Sequence, residues 1–457
     1  MPPLLILGIG IATVIGMIVI LRINAFIALI SAALIVSMLA PAVPLTEKVS
    51  SVAAEFGKTA GKIGIVIALA VVIGKCMMDS GAADRIVRAF LSLLGEKRSA
   101  TALMASGYVL SVPVFFDTVF YLLVPLARSM TRRTGKHYLK YALAIAAGGV
   151  ITHSLVPPTP GPLFMAANLD IDIGVMIIAG ALVALPAAFV GILLAGWFDR
   201  RMNIPLRPIG TGEAEPEPFD DSELPALSIS LLPILLPVAL ISANTIVDVF
   251  ARTAAEGSFL RQFADVVAVL GNVNLAMLLA AAIAMWMLKS KRQLTLAQLS
   301  KVVEVSLMSG GIVILITAAG GAFGAMLEAA DVGSAIANLI PGDSGGIALL
   351  MLGALIASIM KIAQGSGTVA MITASSMVAA MVPSMKSLGY HPAYLATAIG
   401  GGSMICSWMN DSGFWIFVKM TGLSEAEGLK SWTLLLALMG VATVVVSLVL
   451  AVVLPLA

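Results

Sequence analysis

Along the chain, long apolar stretches alternate with short polar, glycine-rich or proline-rich punctuation. Stretches at 4–21, 25–42, 62–80, 138–168, 173–197, 227–247, 265–288, 305–326, 391–418 and 431–455 each approach or exceed the ~20 apolar residues of a bilayer-spanning helix. Two further apolar regions, 100–130 and 346–384, are too long for one crossing and are interrupted near the middle. The interruptions read Ser111-Val112-Pro113-Val114-Phe115-Phe116-Asp117 and Lys361-Ile362-Ala363-Gln364-Gly365-Ser366-Gly367-Thr368. Arms of about 12–15 residues make about 20 Å of helix, short of the ~30 Å hydrocarbon layer. The pattern therefore predicts ten crossings and two re-entrant hairpins in an all-α polytopic membrane protein.

Composition agrees with a lipid-solvated chain. Of 457 residues, 60% are hydrophobic and 11% charged, against roughly 25% charged in a soluble domain. A net charge of +2 gives no reason to expect nucleic acid, and two distant cysteines offer neither a disulfide scaffold nor a CxxC site. No HExxH is present and no second histidine falls in a membrane break, so no catalytic residue, metal or cofactor is assigned; an intramembrane enzyme built on His153 and two aspartates is a remote alternative.

The positive-inside rule orients the chain. With the amino terminus outside, most of the 27 basic residues fall on the inside, and the carboxyl terminus is also outside. Lys75 and Lys361 are left at membrane depth. The first stretch has no basic flank before it and Arg22 directly after it, the reverse of a signal peptide, so it is kept as a helix. Residues 198–226, acidic and proline-rich, read as a cytoplasmic linker between an N-terminal repeat, 1–197, and a C-terminal repeat, 227–457. Gly64-Ile65-Val66-Ile67 recurs as Gly311-Ile312-Val313-Ile314, and Gly148, Gly149 and Ser154 recur as Gly401, Gly402 and Ser407. Each half reads three spans, a hairpin, a glycine-broken span and a final span. Five crossings per half is odd, so the second copy is inverted, an architecture of secondary transporters; paired hairpins argue for alternating access over a channel.

Irregular backbone at membrane depth survives only against protein or a wet cavity, so the four interruptions are expected to converge. The first hairpin tip contributes Ser111, Asp117 and Thr118. Asp117 is an intramembrane acid that serves either the coupled ion or the cap of the second arm. The second tip contributes Gln364, Gly365, Ser366, Gly367 and Thr368, whose amides suit an anion, with Lys361 as counter-ion or snorkelling to the interface. The first broken span, 138–168, holds His153, Ser154, Thr159 and Gly161; four prolines in six positions predict extended chain there. The second, 391–418, holds Asn410, Asp411 and Ser412. Asp117 and Asp411 are the candidate proton carriers, with an ionic pair of Asp411 to Lys361 or His153 as the plain alternative.

Pro113-Val114-Phe115-Phe116-Asp117, His153-Ser154 with Pro157-Pro158-Thr159-Pro160-Gly161-Pro162, Gln364-Gly365-Ser366-Gly367-Thr368 and Asn410-Asp411-Ser412-Gly413-Phe414-Trp415 together resemble the gluconate permease family. The resemblance covers nearly the whole chain and places it in the ion transporter superfamily. It implies a bacterial inner-membrane symporter for gluconate and protons, or for a relative such as glycerate or D-serine. It also implies a homodimer and an elevator in which 100–168 and 346–418 move against a scaffold. Family members often carry His where Thr159 stands, which draws attention to substrate selectivity. On this reading the carboxylate rests on Ser366 and Thr368 with His153 or Lys361, and the substrate hydroxyls bond Thr159, Asn410 and Ser412. A sodium-coupled di- or tricarboxylate carrier is the rival on the same architecture.

Overall fold

The computed structural model describes all residues except 22, 96–97, 208–219, 221–222, 253–257, 333–334, 336–344, 383–384, 410 and 457. The described chain is helical: α1 (Pro3–Ile15), α2 (Ala25–Leu39), α3 (Lys48–Asp79), α4 (Ala82–Leu94), α5 (Ser99–Leu110), α6 (Phe116–Thr134), α7 (Tyr138–Leu155), α8 (Pro160–Asn168) and α9 (Ile173–Met202). After the linker come α10 (Leu227–Arg252), α11 (Phe259–Leu270), α12 (Val273–Arg292), α13 (Leu296–Ala329), α14 (Gly345–Gln364), α15 (Gly367–Met381), α16 (Pro392–Gly402), α17 (Ser412–Thr421) and α18 (Glu425–Val453). Among the described residues, seven helices are long and apolar enough to cross a bilayer. On α9 and α18, Leu182, Leu185, Phe189 and Leu193, and Val441, Val445, Val449 and Val452, are exposed in stripes at helical spacing. These are faces whose solvent is hydrocarbon.

All four interruptions are present, with shifted edges. The first hairpin region breaks between Leu110 and Phe116, the second at Gly365-Ser366, and the broken spans between Leu155 and Pro160 and between Gly402 and Ser412. Three expectations need correction. The stretch 265–288 is not one helix: Gly271-Asn272 divides it, the Asn272 side chain caps Asn274 N, and the long helix begins at Val273. The linker starts later than 198, because α9 continues to Met202 and ends on Asn203 in the left-handed region. The prolines do not hold an extended run through position 162. Pro160 starts α8, since a proline in the first turn loses no helical hydrogen bond.

The longest pair, α3 and α13, crosses antiparallel. Thr59 meets Gly321, Gly64 meets Ile314 and Val71 meets Gly310, so numbering rises on one helix as it falls on the other. Around this pair lie two apolar cores that do not follow the halves of the sequence. One joins α5, α6 and α7 to Ile234 and Ile241 of α10 and Ala276–Leu288 of α12. The other joins α14, α15 and α16 to Ile6 and Val14 of α1 and Ala28–Val36 of α2. Of the second arms of the broken spans, α17 crosses over, with Phe414 and Phe417 in the first core, while α8 sits between the two, with Leu163 and Phe164 in the first core and Met165 and Ala166 in the second.

Close approach fixes α7 against α5 and α16 against α14. A Cβ on Gly148 of α7 would overlap the Met104 carbonyl of α5, and a Cβ on Gly402 of α16 would overlap the Ala354 carbonyl of α14. Backbone meeting backbone cannot give way, so only glycine fits. Polar groups at the ends are matched: buried Lys48 donates to Ser37 O and Ala40 O, both at 2.8 Å, closing the carboxyl end of α2. Lys75 donates to Asp79 at 2.7 Å, one turn on in α3, which gives this expected membrane-depth lysine a partner.

Candidate functional site

Three of the four breaks, together with α7 just before the remaining one, meet at one cavity of about 360 Å³. Three helices begin at its wall, α6 at Phe116, α15 at Gly367 and α17 at Ser412, while α7 brings His153 and Ser154 from its last turn. Three helix amino termini aimed at one volume favour an anion there, through free amides and partial positive charge.

Lys361, at the end of α14, is buried and donates to Asp411 Oδ2 at 2.6 Å and to Gly365 O at 2.7 Å. Gly365 accepts this role because it turns the chain at φ +82°, where a side chain is strained. Asp411 is fully engaged. Its Oδ1 accepts Gly413 N at 3.0 Å as the cap of α17, and its Oδ2 also accepts the Ser407 hydroxyl, which in turn accepts Trp432 Nε1 at 2.8 Å. Lys361 is thus an ion-pair partner within the protein and does not snorkel.

Asp117 differs in kind. It lines the cavity in the first turn of α6 and makes no hydrogen bond or ion pair among the described residues; the helix has no side-chain cap, so the capping role does not hold. With Lys361 offset by Asp411, Asp117 leaves the cavity one negative charge in excess when His153 is neutral. His153 packs on Phe115 with ring centroids 5.6 Å apart, and its buried Nδ1 has no partner. Ser366 spends its hydroxyl on Val369 N at 3.3 Å, capping α15.

Of the residues expected from sequence, Asp117, His153, Ser154, Lys361, Gly365, Ser366, Gly367, Thr368, Asp411 and Ser412 line this cavity. Three do not. Ser111 is fully buried with an unpartnered hydroxyl near Gly149. Thr159 donates to Val156 O at 2.6 Å and so closes its own turn. Gly161 lies against Met371, where a Cβ would overlap the thioether. Asn410 and the side chains of Thr118 and Gln364 lie outside the described residues. Sequence reasoning missed Met371, Met404, Trp432 and Leu436 as lining residues, and Ser407 as the group holding Asp411. Ser407 and Trp432 carried one faint signal: Ser407 repeats Ser154, and Trp432 is one of only five tryptophans.

Residues 2–453 match the family model described as GntP family permease. The gluconate permease of Pseudomonas aeruginosa is 34% identical over 454 residues, 97% of each chain. The low-affinity gluconate transporter of Escherichia coli K12 is 31% identical over 434 residues, covering 94% of this chain and 93% of its own. Among solved structures, the Alcanivorax borkumensis YdaH transporter superposes with a TM-score of 0.65 at 13% identity, over 94% of this chain and 98% of its own. Neisseria gonorrhoeae MtrF gives 0.61 at 15% identity, over 93% and 94%. At such identities these two speak to the fold alone.

Proposed function

Because this chain belongs to the GntP permease family, and is therefore a multi-pass membrane transporter and not an enzyme, we propose that it imports gluconate or a related small hydroxy-monocarboxylate by proton symport. The observation that carries the reading is the unpartnered Asp117 beside the paired Lys361 and Asp411. An anion drawn to three helix amino termini meets a surplus negative charge. One proton on Asp117 removes that charge, so anion and proton are favoured together. Asp411 is a poor proton carrier by the same reasoning, since protonation would unbalance Lys361 and weaken the cap of α17.

The carboxylate is placed on the amides at Gly367 and Thr368, with His153 offering its unpartnered ring nitrogen, and the hydroxyls on Ser154 and Ser412. Anion and proton entering together add no net charge, so the loaded cavity costs no more to move through hydrocarbon on that account than the empty one, whereas the anion alone would add a second uncompensated charge. In this reading 100–168 and 346–418 are re-entrant hairpins and broken spans of two inverted repeats, moving as an elevator against a scaffold that includes α3 and α13. The antiparallel α3–α13 crossing, and two apolar cores that do not follow the halves of the sequence, support that arrangement. The protein is placed in the bacterial inner membrane as a homodimer with both termini outside, the orientation the basic residues favour.

Uptake of labelled gluconate into proteoliposomes under an inward proton gradient tests this, with glycerate, D-serine and citrate as competitors and choline replacing sodium. Concentrative uptake that collapses with a protonophore is the expected result. Uptake that requires sodium and ignores the proton gradient would overturn the coupling, and preference for citrate would overturn the substrate class.

A further inference from the structure

A second cavity, of about 400 Å³, lies away from the first, between the amino-terminal half of α3, the end of α8, the end of α13 and the later turns of α15. The first hairpin's break touches α3 at Gly74, whereas this cavity meets α3 around Lys58, about 24 Å along the helix. Its volume falls within the range of about 300–1,000 Å³ usual for small-molecule sites.

Its lining is polar and incompletely satisfied. Ser376 is fully buried and its hydroxyl has no partner, and the buried Nδ2 of Asn168 has none either. A buried polar group left unpaired is costly, so both ask for an occupant. At the rim Lys58 is tied to Glu55 at 3.3 Å, whereas Lys62 makes no ion pair or hydrogen bond among the described residues. Glu328 and Asp331 stand on the same rim, so the site as a whole does not concentrate simple anions. A ligand with one carboxylate and several hydroxyls suits this set: Lys62 for the carboxylate, the Asn168 amide and Ser376 hydroxyl for the hydroxyls, and the rim acids as further acceptors.

The two cavities share α15. Thr368 lines the first in its opening turn and Ser376 the second, about 12 Å further on by helical rise. Between them Met371 packs on Gly161 and Ile372 on Gly320, an apolar layer interrupted by the fully buried, unpartnered hydroxyl of Thr373. We propose that the second cavity is a low-affinity loading site for a hydroxy-monocarboxylate, anchored by Lys62, Asn168 and Ser376, at the other end of the route from the central site. The inference rests on the substrate class proposed above.

Binding of labelled gluconate to the purified full-length protein tests it, over a concentration range wide enough to resolve two phases. The wild type is expected to bind in a tight and a weak phase. Lys62→Gln and Ser376→Ala, one at an exposed side chain and one removing a single hydroxyl, are each expected to weaken the second phase about tenfold while leaving the tight phase unchanged. His153→Gln, at a ring that lines the central cavity and has no protein partner to lose, is expected to do the reverse. A single saturable phase in the wild type overturns the loading site and leaves the central reading intact, as does a weak phase that neither variant moves. Absence of any gluconate binding overturns both.

Discussion

Lys361 and Asp411, fifty positions apart, meet at 2.6 Å within the membrane-embedded core, and each arrives from a different break. Removing one partner strands the other's charge, which costs about 3–5 kcal/mol, whereas removing both costs far less. Lys361→Met is therefore expected to lower the melting temperature in detergent sharply. Lys361→Met with Asp411→Asn should recover most of that loss. A double variant no more stable than the single one would show that the pair does not hold the fold.

Asp117 has no partner to lose, so Asp117→Asn is expected to fold and melt like the wild type. In proteoliposomes it should keep gluconate exchange across the membrane and lose concentrative uptake driven by a proton gradient. Full uphill accumulation by the variant would remove Asp117 from the coupling role.

Thr159 spends its hydroxyl on Val156 O. Thr159→Val is expected to cost about 1 kcal/mol of stability, the worth of one hydrogen bond, and to leave the ranking of competing substrates unchanged. A changed ranking would return this position to the selectivity determinants.

Close helix approach makes a different demand. Gly148→Ala and Gly402→Ala each drive a methyl into a backbone carbonyl and are expected to destabilise by about 1–3 kcal/mol or more, with loss of uptake. Gly57, in the open part of α3, has nothing within 4 Å of a Cβ. Gly57→Ala should be neutral or stabilise by about 0.4–1 kcal/mol. Parallel thermal melts of the three variants check this, and equal losses in all three would dismiss the packing argument.

Much of the fold was legible because it depends on local properties. Apolar length predicts helices, and the Pro113, Pro157–Pro162, Gly365–Gly367 and Gly400–Gly402 clusters mark the four breaks, since several such residues together disfavour helix where single ones, such as Pro125 and Pro186, are carried inside one. The identity of Asp117, His153, Lys361 and Asp411 as costly groups also followed from composition alone, because lipid penalises charge wherever it falls. Gly271-Asn272 was overlooked because a single glycine and asparagine barely lower the hydropathy of the stretch around them.

Which break faces which was not legible. That the Lys361 ammonium closes on Asp411 rather than on substrate, that Ser407 and Trp432 hold Asp411 in place, and that Thr159 turns back on Val156 are matters of three-dimensional placement. So is the seating of α17 in the first core and of α8 between the two. The sequence by itself determined that the chain is a series of apolar helices with four breaks and which polar residues lie among them, because propensity and burial cost act over a few residues. Only the tertiary structure decided which of those polar groups satisfy one another and which, like Asp117, are left facing the cavity, because that depends on contacts between segments far apart along the chain.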